Sequence, residues 1–60
     1  MDRINMWWNE MIDREIEEVL GSISNEHAFE LGYSGEELNP HTENITVMRK
    51  YVEMLEVAKK

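Results

Sequence analysis

Apolar residues in the last third of the chain recur at alternating spacings of three and four, the period of one helix face. Asn39 is a favoured N-cap, and Pro40 is a favoured first helical residue because its missing N–H would have no partner there. The pattern predicts a helix over 40–59 with two apolar ladders, which together are wider than one neighbouring helix can cover. The ladders are Ile45, Met48, Val52 and Leu55, and Val47, Tyr51, Met54 and Ala58.

A second amphipathic pattern fills the first half of the chain and predicts a helix over about 2–31. Asp2 can cap its start, and Gly32 is expected to end it in the left-handed conformation. We expect a possible break near Gly21, since Gly in a helix costs about 1 kcal/mol relative to Ala. The apolar stripe is Ile4, Trp8, Ile12, Ile16, Val19 and Ile23, flanked by Trp7, Met11 and Leu20.

Residues 32–39 are predicted to connect the two helices, with a single turn opening at Ser34. Pro40 would clash with the carbonyl of Glu36 in a continuing helix, so the turn cannot run into the second helix. Two helices with a short connector pack antiparallel, which places Lys59 and Lys60 near the acidic first half of the first helix. No segment alternates strictly between apolar and polar residues, so we predict one all-α hairpin domain over 1–60.

Self-association is expected, because sixty residues without a cysteine form a small core and cannot be stabilised by disulfides. A lone hairpin would also leave apolar residues uncovered. We predict a homodimer resembling a four-helix bundle, or a higher oligomer. Adjacent helical residues point about 100° apart, so one tryptophan is expected in the core and the other at an interface. The predicted oligomer or partner interface consists of Trp7, Trp8, Met11, Val47, Tyr51 and Met54.

The formal charge of −7 disfavours direct binding to nucleic-acid phosphates. It permits a basic protein partner, although a solvated acidic face is the simpler interpretation of the carboxylates in the first helix. No stretch of 18 uninterrupted apolar residues predicts a membrane span, and charged residues near the start do not suit a signal peptide. We therefore expect a cytoplasmic protein.

Candidate chemistry is sparse. Glu26, His27 and Glu30 lie within about one helical turn, but no second ligand set at a diagnostic spacing accompanies them, so no metal site is predicted. Neither a recognisable nucleophile motif nor a glycine-rich phosphate loop is present. We expect a protein that is not an enzyme, with no catalytic residues and no cofactor.

A small anionic ligand is the alternative to a protein partner. Arginine matches phosphate geometry, and tyrosine or histidine can stack or donate hydrogen bonds. In a dimer, such groups from two chains could line a shared pocket, although ordinary ion pairing with the excess carboxylates explains them as well. The candidate ligand-binding residues are Arg14, His27, Tyr33, His41, Arg49 and Lys50.

In size, acidity and helical plan the whole chain resembles small accessory proteins of phages and mobile elements. These include inhibitors of host enzymes and nucleotide-sequestering proteins that blunt antiviral signalling. The resemblance is one of general character, so no functional positions carry over. It leaves three hypotheses: a protein that binds and modulates a protein partner, a protein that sequesters a nucleotide-like anion at subunit interfaces, and a structural or assembly module.

Overall fold

The computed structural model of the protein describes residues 2–60, which form two helices in an antiparallel hairpin. Helix α1 spans Arg3–Gly32 and helix α2 spans Pro40–Val57. The hairpin is 81% helical, and no strand occurs in the described part of the chain. The predicted all-α hairpin is therefore confirmed, with α2 ending two residues earlier than expected.

Helix α1 is continuous over thirty residues and passes through Gly21 without the break that the sequence suggested. It starts at Asp2, whose carboxylate accepts a hydrogen bond from the Ile4 N–H at 2.9 Å. The expected left-handed ending at Gly32 is wrong, because no described residue has a positive φ. Instead Tyr33 turns the chain into an extended conformation, and its N–H donates to the carbonyl of Glu30.

The connector, residues 33–39, contains only a bend where the sequence predicted a helical turn. The ring of Tyr33 lies directly against Gly35, where an added Cβ would collide with it. Asn39 then caps α2 by accepting from the His41 N–H at 3.0 Å, and Pro40 is the first helical residue, as predicted. The Asn39 amide also donates to the carbonyl of Glu30 at 3.0 Å, so this side chain joins the start of α2 to the end of α1.

The two helices pack along a thin seam. Ile12, Val19 and Ile45 are buried in it, so the predicted stripe of α1 packs against the first of the two ladders of α2. The Cα atoms extend over 53 × 15 × 8 Å, with a radius of gyration of 15.0 Å. A compact domain of this length would have a radius of gyration of about 10 Å. The hairpin is thus a single layer of two helices, with its other surfaces uncovered.

Polar contacts hold the open end of the hairpin, where α1 begins and α2 finishes. The Trp8 indole N–H donates to the carbonyl of Ala58 at 2.7 Å. Asn9 exchanges two hydrogen bonds with the backbone of Lys60, at 3.0 and 2.8 Å. Lys59 pairs with Asp13 at 2.7 Å, which confirms that the basic end of the chain meets the acidic half of α1.

Candidate functional site

Hydrogen bonds across the seam show which residues of the two helices share a side of the hairpin. On one side the Asn44 amide donates to Glu26, and on the other the Thr42 hydroxyl donates to Glu30. Side chains advance by about 100° per residue around a helix, so Tyr51, seven residues after Asn44, lies on the Asn44 side. The same rotation on α1 places Met11 on the Glu26 side.

Six of the exposed large apolar residues, contributed by both helices, therefore lie on a single side of the hairpin, which we call the apolar face. It contains most of the second ladder of α2, together with Trp7 and Met11 from one flank of the α1 stripe and Ile4 from the stripe itself. Each of its members is more than one-third exposed. The apolar face comprises Ile4, Trp7, Met11, Val47, Tyr51 and Met54.

The opposite side of the hairpin carries fewer large apolar residues. Met6, Leu20 and Leu31 are exposed there, separated along the 30-residue helix α1. Charged groups lie between them, including the pair of Asp13 with Lys59. The two sides thus differ in character, with more of the exposed large apolar side chains on the apolar face.

Five of the six predicted interface residues lie on the apolar face. The sixth, Trp8, forms a hydrogen bond between the two helices of the hairpin. Trp8 is half-buried, and its indole N–H is bonded to the carbonyl of Ala58. Its neighbour Trp7 is 59% exposed. The two adjacent tryptophans therefore point to different surroundings, one closing the hairpin and the other facing solvent.

Charges of both signs border the apolar face. Glu18, seven residues after Met11, lies on the face, and Glu15 lies between the face and the seam. Arg14 and Lys50 lie along its two outer edges. These four groups balance, although the whole chain carries −7. Part of the excess negative charge lies on the other sides of the hairpin, at Glu10, Asp13, Glu17, Glu53 and Glu56.

A polar cluster fastens the two helices at the connector end. The His41 imidazole Nδ1 is hydrogen-bonded to the Glu26 carboxylate, which also accepts from the Asn44 amide at 2.8 Å. The His41 ring stacks on Phe29 with the centroids 5.6 Å apart. Tyr33 presents its edge to the same ring at 6.2 Å. His41 is therefore held from three directions.

Glu30 forms the second half of the connector cluster. Its carboxylate accepts from the Thr42 hydroxyl and contacts His27 Nδ1 at 3.1 Å. The bond from Thr42 holds the pKa of Glu30 below its usual value, with a smaller contribution from His27. The bond from Asn44, followed by that from His41, likewise lowers the pKa of Glu26. Both carboxylates are therefore stabilised in the ionised form, and the cluster is acidic.

The six predicted ligand-binding residues do not converge on one place. Tyr33 and His41 lie together in the connector cluster, and His27 contacts Glu30 nearby. Arg49 is close enough to Glu30 to contribute to its lowered pKa. Arg14 and Lys50 lie farther along the hairpin, at the edges of the apolar face. Within residues 2–60, no group of three or more side chains is arranged to hold a metal ion.

The sequence did not identify the hydrogen-bonding roles of Glu26, Thr42 and Asn44. Each is an ordinary polar residue of an amphipathic helix, and its partner lies 12 to 18 residues away along the chain. The pairing depends on the register between the helices, which is set by the length and course of the connector. Periodicity within one helix does not contain that information.

The chain matches no family model, and no curated protein or solved structure is significantly similar to it. Neither described helix combines the length and the apolar composition needed to cross a bilayer.

Proposed function

We propose that the chain is a non-catalytic interaction protein that works as a homo-oligomer and binds and modulates a protein partner. The observation that carries the proposal is the apolar face, where six large side chains from two helices remain in contact with solvent. Such surfaces mark sites of association, because a soluble monomer rarely exposes a large continuous apolar patch.

The energetics of a single layer support self-association. Domains are normally built from at least two packed layers around a shared core, and the hairpin provides one. Burying one large apolar side chain is worth about 1.5–3 kcal/mol, so a few from each chain rival the whole stability expected of a small domain. Two hairpins joined by their apolar faces make a four-helix bundle, the simplest arrangement that covers these residues.

The outer surface of such an assembly supports the second part of the proposal. With the apolar faces joined, Glu10, Glu17 and Glu53 remain on the outside, and every added copy brings a further charge of −7. This field attracts a basic protein surface and repels nucleic acid. We propose a protein partner with a basic binding surface. Binding of this chain would modulate the partner's activity without any covalent change to it.

The anion-sequestering alternative has weaker support. The candidate residues His27 and His41 are already paired with Glu30 and Glu26 respectively. An anion at the connector cluster would therefore be repelled by two carboxylates. Of the other candidate cations, Arg49 lies near Glu30, whereas Arg14 and Lys50 border the apolar face, so the three do not gather in one pocket.

Thermal unfolding followed by circular dichroism over a wide range of protein concentrations tests the oligomeric part. A protein whose fold depends on assembly melts at a temperature that rises with concentration. A midpoint independent of concentration would remove the support for an oligomer.

Co-purification from the native source tests the partner. A stoichiometric protein should accompany the chain and dissociate at high salt, because screening weakens the attraction between acidic and basic surfaces. A melting temperature that rises with one member of a nucleotide panel, with no protein retained, would instead favour the anion-sequestering alternative.

A further inference from the structure

We infer that the apolar face is the docking surface for a second copy of this chain, placed face to face, and that Glu15 limits the strength of that contact. The inference rests on the proposed homo-oligomer joined by its apolar faces, and it adds how the two copies are matched and which residue limits the contact. Three observations support this choice: the shape of the hairpin, the balance of charge and the distribution of apolar groups.

The shape of the face matches a second hairpin. The molecule is 53 Å long, and its Cα atoms span only 8 Å in the thinnest direction. The apolar face runs from Ile4 near the open end to Val47, well past the midpoint of α1. A second hairpin has the same length and can cover the whole apolar face with its two helices. A stable contact buries about 800 Å² per partner, which is roughly a sixth of the 5131 Å² accessible on one chain.

Charge is compatible with a second copy on this side. Two chains of −7 repel each other over most of their surface. At the apolar face, however, Glu15 and Glu18 are balanced by Arg14 and Lys50. Because a two-fold contact brings the same surface from both chains together, an exposed acidic residue such as Glu18 can meet a basic residue of the other copy. The face is therefore self-complementary in charge as well as apolar.

Glu15 is the less favourable of the two carboxylates at this surface, because Glu18 is exposed and free to reach a basic residue of the other copy. Glu15 is half-buried on the monomer, on the side of α1 between the seam and the apolar face, one turn beyond Met11. A second hairpin laid on the face removes more water from this carboxylate, and desolvating a charged group opposes association. We therefore assign Glu15 the role of weakening the dimer, so that removing its charge should tighten the contact.

Three methionines provide a test in the unaltered protein. Met11 and Met54 lie on the apolar face, whereas Met6 is on the side of α1 turned away from it. On a lone hairpin all three are exposed, by 43%, 68% and 48% respectively. Methionine methyl signals are recorded by NMR with a soluble paramagnetic agent, at a concentration where the protein is assembled. Shielding of Met11 and Met54 by severalfold, with Met6 still accessible, is the expected result.

Matched variants test the same surface by affinity. Tyr51 and Leu20 are similarly exposed, at 42% and 51%, but lie on opposite sides of the hairpin. Tyr51→Lys should raise the dissociation constant of the assembly by about tenfold or more, as expected when a central aromatic contact is lost. Leu20→Lys makes the same change of charge and should leave the constant within about threefold of wild type.

Glu15→Gln should lower the dissociation constant by a few fold, and Glu17→Gln, on the outer side of α1, is its control. Equal tightening by both variants would show that only net charge matters and would overturn the role of Glu15. An assembly in which Met6 is shielded and Leu20→Lys is the damaging change would overturn the choice of face. That result would leave the proposed homo-oligomer standing, whereas a protein that stays monomeric would end both.

Discussion

The indole N–H of Trp8 donates to the carbonyl of Ala58 at 2.7 Å, across fifty residues of sequence. Ala58 is the C-cap residue of α2, where carbonyl groups lack partners within the helix. The bond therefore satisfies both a half-buried donor and a helix-end acceptor, and it fixes the register of the two helices at the open end. Trp8 therefore helps to hold the two helices together, while Trp7 is exposed on the apolar face.

Replacing Trp8 with Phe tests this bond while keeping an aromatic ring in the seam. The variant loses one hydrogen bond, so its free energy of unfolding should fall by about 1 kcal/mol. Chemical denaturation measures the change, and Trp7→Phe serves as the control for losing a tryptophan outside the seam. Because Trp7→Phe keeps an aromatic ring at the apolar face, it should weaken self-association less than Trp7→Ala. Equal denaturation curves for Trp8→Phe and wild type would show that the bond contributes nothing.

Gly21 should be replaceable by Ala with a gain in stability. The residue lies inside continuous α1, and an added Cβ meets no atom within 4 Å. Ala is favoured over Gly in a helix interior by up to about 1 kcal/mol. The melting temperature of Gly21→Ala should therefore rise, as measured by circular dichroism. A lower melting temperature would mean that the helix bends or breaks at this position in solution.

Asn39→Ala should destabilise the hairpin by about 1 kcal/mol or somewhat more. The substitution removes the cap of α2 and also the hydrogen bond from the Asn39 amide to the carbonyl of Glu30. Asn39→Asp provides the comparison, because it retains the cap acceptor and loses only the amide donor. We expect Asp to fall between Asn and Ala in a denaturant titration. The cap assignment fails if all three proteins unfold at the same midpoint.

Acid should weaken the connector cluster. The pKa values of Glu26 and Glu30 are lowered in the folded chain, mainly by hydrogen bonds from Asn44 and Thr42 respectively. Their contribution to stability is therefore present above the ordinary carboxyl value of 4.5, and it is lost as the pH falls through the lowered values. Stability should decline below about pH 4.5, and the decline should be shallower in a variant with both residues changed to Gln.

The matched control for the acid experiment is the Glu10→Gln, Glu17→Gln double variant, which removes two carboxylates from the outer surface of α1. This variant should keep the wild-type steepness of the decline, because those residues do not bond across the seam. Similar curves for the two double variants would contradict a special role of the connector cluster.

Much of the fold could be predicted because each helix contains its own signals. The three-and-four spacing of the apolar residues identified the seam side of both helices, and Asn39 with Pro40 identified the start of α2. The prediction failed where the outcome depends on contacts between distant residues. Gly21 is a residue type that often interrupts helices, but here it lies within a continuous helix that is capped by Asp2 and packed against α2.

The connector shows the same limitation. Gly32 and Ser34 have the residue types of a left-handed cap and a capping box, yet the chain leaves α1 in an extended conformation. The alternative is favoured by contacts that local patterns do not reveal, among them the packing of Tyr33 against Gly35 and the bond from Asn39 to Glu30. For the candidate site, the interface residues could be proposed from periodicity. The connector cluster could not, because its members meet only through the register of the two helices.

Tyr51→Glu tests whether the folding of the hairpin depends on its self-association. It places a charge at the centre of the apolar face without altering the buried Ile12, Val19 or Ile45. If assembly supplies much of the stability, helicity and oligomer content should fall together, by circular dichroism and by light scattering. Loss of the oligomer with full helicity retained would show that a single hairpin is stable by itself.

We propose that one hairpin supplies only half of the core that a stable fold needs. Sedimentation equilibrium of the wild-type chain at micromolar concentration measures its mass directly. We predict a mass of at least twice the 7.2 kDa of one chain, decreasing on dilution together with the helical signal. A well-folded species with the mass of a single chain at these concentrations would contradict the account.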